Sequence, residues 1–186
     1  TDPNIEAITA QSPSGEGQMY LQTSPEFAMK RLLAAGSGPI YQICKAFRRG
    51  ERGRRHNPEF TMLEWYRVGA GLWELMDDVE SLIGAAAISL AQHPPRFERL
   101  AVSDLISPDL APDDWFHTWV DQVEPTLTGP TIVHGYPPWQ AALAKVRDDQ
   151  AERFEVYLGG VELGNAFAEE GDPRVIQQRL RAANQT

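Results

Sequence analysis

Cysteine is nearly absent. The 186 residues contain one, Cys44, so no intrachain disulfide can form and the chain suits a reducing compartment. Long apolar runs are missing too: no stretch approaches the roughly 20 apolar residues that a membrane-spanning helix needs, and no signal-peptide pattern opens the chain. The sequence therefore predicts a cytoplasmic protein with no membrane partner. Basic residues are outnumbered, with 17 Lys and Arg against 26 Asp and Glu. A net charge of −9 argues against a general nucleic-acid surface, which would be basic. No repeat or low-complexity tract is present. What remains, 42% hydrophobic and 23% charged, has the balance of a globular protein and the length of one domain over residues 1–186 with its own core.

One stretch stands out against the acidic background: residues 47–66, FRRGERGRRHNPEFTMLEWY. Alternation predicts a strand over residues 40–49, a charged loop over 50–57 and a return strand over 59–67. On the first strand, Gln42, Cys44, Ala46 and Arg48 share one side, opposite Tyr41, Ile43 and Phe47. On the second, Phe60, Met62, Glu64 and Tyr66 share a face. Arg48 can meet a phosphate oxygen with a planar fork, Phe60 offers a stacking surface, and Glu64 with Tyr66 suits an ammonium group. An ordinary hairpin with a solvated basic loop would not need all four on one side.

Residues 1–17 read as a loop and 18–22 as a short strand. Ser24, Pro25 and Glu26 open a helix by the rules, with a Ser cap, Pro at the first helical position and an acid in the first turn. Phe27, Met29, Leu32 and Leu33 supply its apolar face, and Gly36 stops it. Glu26 by itself is a partner for the helix dipole. An amphipathic helix follows over about residues 72–91, with Asp77, Asp78 and Glu80 on its solvated face. Residues 92–130 give little pattern. Asp113, Asp114, His117 and Asp121 have a metal-like spacing, but beside Trp115, Phe116 and Trp119 they read as the wet face of a short helix. His134 reads as structural.

Residues 153–167 predict a second hairpin with a Gly159-Gly160 turn, pairing Leu158 with Val161 and Tyr157 with Glu162. Glu155 and Glu162 then fall on one face as diagonal neighbours, close enough to share an ion. Such a pair suits Mg²⁺ bound to ATP phosphates, and equally an exposed polar face. A regular ladder would leave Asn165 and Glu169 on the opposite face from Glu162. A bulge near Gly164 would bring them round, since glycine tolerates the backbone angles needed.

The string HNPEFTMLEWY with the preceding FRRGER resembles motif 2 of class II aminoacyl-tRNA synthetases in its lysine-type form. Together with TSPEFAMKRLL and RFEVYLGGVELGNAF, it is similar to the truncated lysyl-synthetase paralogues that ligate lysine to translation elongation factor P. The resemblance is clear over residues 20–83 and 132–180 and weak between them. It implies an α+β fold, a class II synthetase-like catalytic domain with an antiparallel β-sheet flanked by helices. It also implies an ATP-dependent, AMP-forming ligase that activates (R)-β-lysine or lysine with ATP and Mg²⁺ and acts as a homodimer. The roles it carries over are specific. Arg48, Glu51, His56, Asn57, Phe60, Glu155, Glu162 and Leu163 would contact ATP, with Arg48 and Glu162 catalytic and Glu155 and Glu162 holding the metal. Ser24, Pro25, Glu26, Glu64, Tyr66, Asn165 and Glu169 would contact the amino acid, and for Asn165 and Glu169 to do so beside Glu162 the resemblance implies the bulge near Gly164.

The sequence departs from the family in places. The acid after Arg48 stands three residues on, at Glu51, rather than two. Pro138-Trp139 replaces a small Ala-Ser pair in the YPASQAALA segment, where a buried tryptophan would narrow whatever lies beside it. Ala168 stands where a histidine is usual. Motifs 1 and 3 are not seen, so the domain is expected to be incomplete. The MLEWY tryptophan, the YPPWQAALA segment and the acidic balance favour elongation factor P over tRNA as the acceptor. A lysyl-tRNA synthetase core, and a non-catalytic paralogue that binds lysine or ATP, stay open.

Overall fold

The computed structural model describes residues 5–15 and 17–183, so the loop expected at residues 1–4 and at Glu16 lies outside the described residues. The chain divides into two compact units, one running to Gly69 and taking in the segment from Leu180, the other Ala70–Arg179.

The first unit holds two hairpins and a helix. Strands β1 (Thr9–Gln11) and β2 (Gln18–Tyr20) pair antiparallel, so the segment expected to be a plain loop contains a short strand. Helix α1 spans Glu26–Ala34 with Pro25 at its cap, one residue later than the Ser-cap reading. The Ser24 hydroxyl still accepts from the Glu26 N–H (3.3 Å), and Pro25 and Met29 are buried. Strands β3 (Ile40–Phe47) and β4 (Glu59–Tyr66) form a regular antiparallel ladder from Ile40↔Tyr66 to Phe47↔Glu59. Beside it, Phe47 N–H donates to Gln22 O and Gln22 Nε2 to Lys45 O, which fixes the chain leading into α1.

The second unit is a five-stranded sheet with helices on its faces. Helix α2 (Leu72–Ser89) begins with the Glu74 carboxylate accepting from the Gly71 N–H at 3.0 Å. Strand β5 (Glu98–Ala101) runs parallel to β6 (Thr131–Tyr136), and every other pairing is antiparallel. Strand β8 (Gln150–Leu158) lies beside β6, and its other edge is shared by β7 (Val146–Arg147) and β9 (Val161–Phe167). Helices α3 (Val102–Leu105) and α4 (Pro112–Thr118) come between β5 and β6, and α5 (Pro173–Ala183) follows β9. This is the α+β architecture that the sequence predicts, antiparallel apart from its β5 edge.

Alternation sorts the sheet into two faces. Ile132, Phe154 and Val156 are buried on one, where Trp73 at the start of α2 meets the His134 ring edge-on at 5.0 Å. Val133, Tyr136, Ala151 and Tyr157 are buried on the other. That side carries the main core, closed by Trp115 of α4 and Trp119 of the π-turn at Trp119–Val123, whose rings stack at 4.9 Å. The poorly patterned segment thus buries its tryptophans, while Asp113, Asp114, His117 and Asp121 are exposed as expected. Asp77 and Glu80 hold Arg99 (2.5 and 2.8 Å) rather than forming a metal site.

Candidate active site

Each unit carries one cluster of candidate residues. In the first, the regular β3–β4 register places Gln42, Cys44 and Ala46 opposite Glu64, Met62 and Phe60, the common face that the alternation predicts. Arg48 sits one residue past β3, with its N–H on Pro58 O at 2.9 Å. Its guanidinium lies 5.1 Å from the centroid of the Phe60 ring, within cation–π range. Nε donates to the carbonyl of the buried Thr23 (3.3 Å), and Nη1 stands 3.7 Å from Glu51 Oε1. The fork is therefore aimed by a backbone carbonyl and an aromatic face, and its remaining donors are available to an anion.

The rest of that cluster is spread along the strands. The Tyr66 hydroxyl donates to Glu64 Oε1 at 2.8 Å, so the phenol and the carboxylate expected to serve an ammonium group already act as a pair. Burial pushes the Cys44 thiol up, and the Glu64 charge adds to the shift, so Cys44 stays protonated at neutral pH. Glu26, in the first turn of α1, pairs with Lys30 one turn later at 2.7 Å. His56 and Asn57 are exposed in the arginine loop, where Gly53 N–H donates to His56 O at 3.0 Å.

In the second unit, the β8–β9 hairpin turns through Gly159 and Gly160, both left-handed (φ 62° and 72°), as a two-residue turn of this hand requires. Leu158 pairs with Val161 and Tyr157 with Glu162. The register then shifts: Val156 pairs with Gly164, not Leu163, and Glu155 with Asn165. Leu163 is the extra residue, so the bulge expected near Gly164 is there, immediately before it. Its effect is to bring Asn165 onto the face of Glu155, Tyr157 and Glu162. Glu169 lies beyond the strand, bridged to Ala144.

The Glu155 carboxylate is held by three side chains. Oε2 accepts from the Tyr136 and Tyr157 hydroxyls, both at 2.6 Å, and Oε1 accepts from Arg153. Burial, then the Glu155 charge, holds both phenols well above the usual tyrosine range. Alternation alone puts Arg153 and Tyr157 beside Glu155, a signal that sequence reasoning left unused. Tyr136 gave no such signal, because it reaches this face through a register shift at Gly135 (φ 76°). Trp139, which would narrow its surroundings if buried, is 49% exposed and edge-on to Trp115 at 5.5 Å.

The donor set allows a test of the metal. Two carboxylates on one face suit an ion bound chiefly by phosphates and water. A carboxylate has about four lone-pair positions, and Glu155 has used three, leaving one on Oε1. Glu155 and Glu162 thus fit Mg²⁺ as sparse ligands. Among the described residues no group of three or more His, Cys, Asp or Glu forms a metal cage.

A profile of the class II tRNA synthetases (D, K and N) matches residues 7–186, and the chain belongs to that family. Its curated relatives narrow the class. It is 40% identical over 196 residues to a protein of Erwinia tasmaniensis and 41% identical over 199 residues to one of Enterobacter sp. (strain 638). It is also 41% identical over 196 residues to one of Vibrio vulnificus. All three are named elongation factor P–(R)-β-lysine ligase, and each match covers 89% of this chain. The chain spans about 60% of the length of these relatives.

Proposed function

We propose that the chain is part of the catalytic domain of an ATP-dependent ligase. It activates (R)-β-lysine, or lysine, as an aminoacyl-adenylate and transfers it to a lysine side chain of elongation factor P. The observation that carries this reading is the shift at Leu163, which aligns Glu155, Tyr157, Glu162 and Asn165 on one face. A regular hairpin would keep Glu155, Tyr157 and Glu162 together but turn Asn165 to the opposite face, and the similarity to relatives named as such ligases gives that face its meaning.

The chemistry has two steps. The amino-acid carboxylate attacks the α-phosphorus of ATP and expels pyrophosphate. The ε-amine of the acceptor then attacks the acyl carbon and expels AMP. No protein nucleophile is required, so the side chains work by positioning and charge stabilisation. In the first unit Arg48 takes the α-phosphate and Phe60 the adenine, with Glu51, His56 and Asn57 as further ATP contacts. Ser24, Pro25, Glu26, Glu64 and Tyr66 take the amino acid, the acids serving its ammonium groups. In the second unit Glu155 and Glu162 hold the ion, Leu163 borders the nucleotide, and Asn165 and Glu169 contact the amino acid. Bound Mg²⁺ would neutralise phosphate charge as it develops. Glu26 must exchange its Lys30 partner for substrate in this scheme.

The acceptor is tested directly. The full-length protein is incubated with ATP, (R)-β-lysine and either elongation factor P or tRNA, and the products are weighed by mass spectrometry. An adduct on a lysine of elongation factor P alone supports the ligase. Acylated tRNA with unmodified elongation factor P returns the chain to the synthetase reading.

A further inference from the structure

We infer that Arg153 is a positioning residue for Glu155, an inference that rests on assigning Glu155 to the ATP-bound metal. Arg153 and Glu155 lie two residues apart on β8 and are largely buried (side chains 18% and 12% exposed). The guanidinium makes three contacts at once. It donates to Glu155 Oε1, it donates to Gln140 O at 3.2 Å, and it lies 4.4 Å from the centroid of the Tyr136 ring. Tyr136 in turn donates to the other oxygen of Glu155. Arg153, Glu155 and Tyr136 therefore close a loop in which each member fixes the other two, with Tyr157 as a fourth point of attachment.

The sign of the electrostatics separates positioning from attraction. A guanidinium beside a metal-holding carboxylate repels the incoming cation, so attraction cannot be its contribution. What it offers is orientation. A free glutamate side chain must lose rotamer freedom when it takes an ion, and this one is already held by three donors with one acceptor position open. Residues that orient a metal ligand in this way change metal affinity by about 10- to 100-fold when removed. The anchor at Gln140 O also links the Pro138–Gln140 turn to the carboxylate.

The test uses the full-length protein and Mn²⁺ with a non-hydrolysable ATP analogue, bound metal being counted by electron paramagnetic resonance. Arg153→Met is expected to weaken Mn²⁺ binding by roughly tenfold or more, with the KM for the amino acid unchanged. In a Glu155→Gln background the same change is expected to cost nothing further, because Arg153 acts through Glu155. Additive losses in the double variant, or undiminished Mn²⁺ binding in folded Arg153→Met, overturn the inference. Arg153→Lys keeps the charge and the apolar stem but loses the fork, and it serves if the Met variant fails to fold. Weakened binding by severalfold is expected there, and a wild-type value overturns the proposal. A Glu155→Gln chain that binds Mn²⁺ as the wild type does shows a different failure, that of the metal assignment itself.

Discussion

Arg48 and Glu155 show how much of a site a single position can reveal. Arg48 was legible because two strands in regular register put it beside Phe60, and alternation sufficed to pair them. Removing it takes away a preorganised charge contact, and Arg48→Ala should cost about 3 kcal/mol of transition-state stabilisation in adenylate formation. Pyrophosphate exchange measures this, and an unchanged rate would remove Arg48 from the mechanism. Glu155 was legible as a residue but not as an environment. Two of its three donors are strand neighbours at period two, whereas Tyr136 arrives from β6 after a register shift that no local pattern announces. The two phenols give an independent check. Both are held neutral by burial and by Glu155, so of the chain's five tyrosines these two should stay un-ionised in a spectrophotometric titration until alkali unfolds the protein. Ionisation of all five in the usual tyrosine range would contradict the network.

At the scale of elements, short-range chemistry was legible and long-range chemistry was not. The Gly159-Gly160 turn could be read with its register because two residues decide it. The bulge followed from a conflict between alternation and the family resemblance, which puts Asn165 in the same site as Glu162. Strand β1 was missed because its three residues lie among Pro, Ser and Gly and gain their ladder from β2. Helix α4 could be read as a short helix with a wet face, but its packing was illegible: Trp115 and Trp119 are buried by Tyr136 and its neighbours, and none of that shows in a window of local sequence. The turn yields a stability prediction. Gly160→Ala forces a left-handed backbone on a Cβ and should destabilise by about 1–2 kcal/mol, whereas Gly159→Asn, which suits this turn, should cost much less. Urea denaturation distinguishes the two, and equal costs would mean that the turn is not held in this conformation.

For the molecule as a whole, the acidic excess is unevenly placed. It lies within Ala70–Arg179, while the unit that carries the arginine loop is the more basic of the two. Stability should also depend on mild acid. Burial pushes His134 below the usual histidine range against the opposing pull of Asp104, and Arg99 adds to the lowering. Its neutral form is the one that the fold accommodates. The unfolded chain therefore takes up a proton first as pH drops through the ordinary histidine pKa, and stability falls from there until the folded group protonates. His134→Gln should flatten that part of the curve between about pH 7 and 5 in denaturant titrations; an unaltered slope would place the dependence elsewhere. The most direct test of the central claim is amino-acid-dependent ATP–pyrophosphate exchange by the full-length protein, with (R)-β-lysine and α-lysine compared. Exchange that prefers (R)-β-lysine is the predicted result. No exchange with either amino acid, in a protein that still binds ATP, would contradict it and mark the chain as a non-catalytic relative.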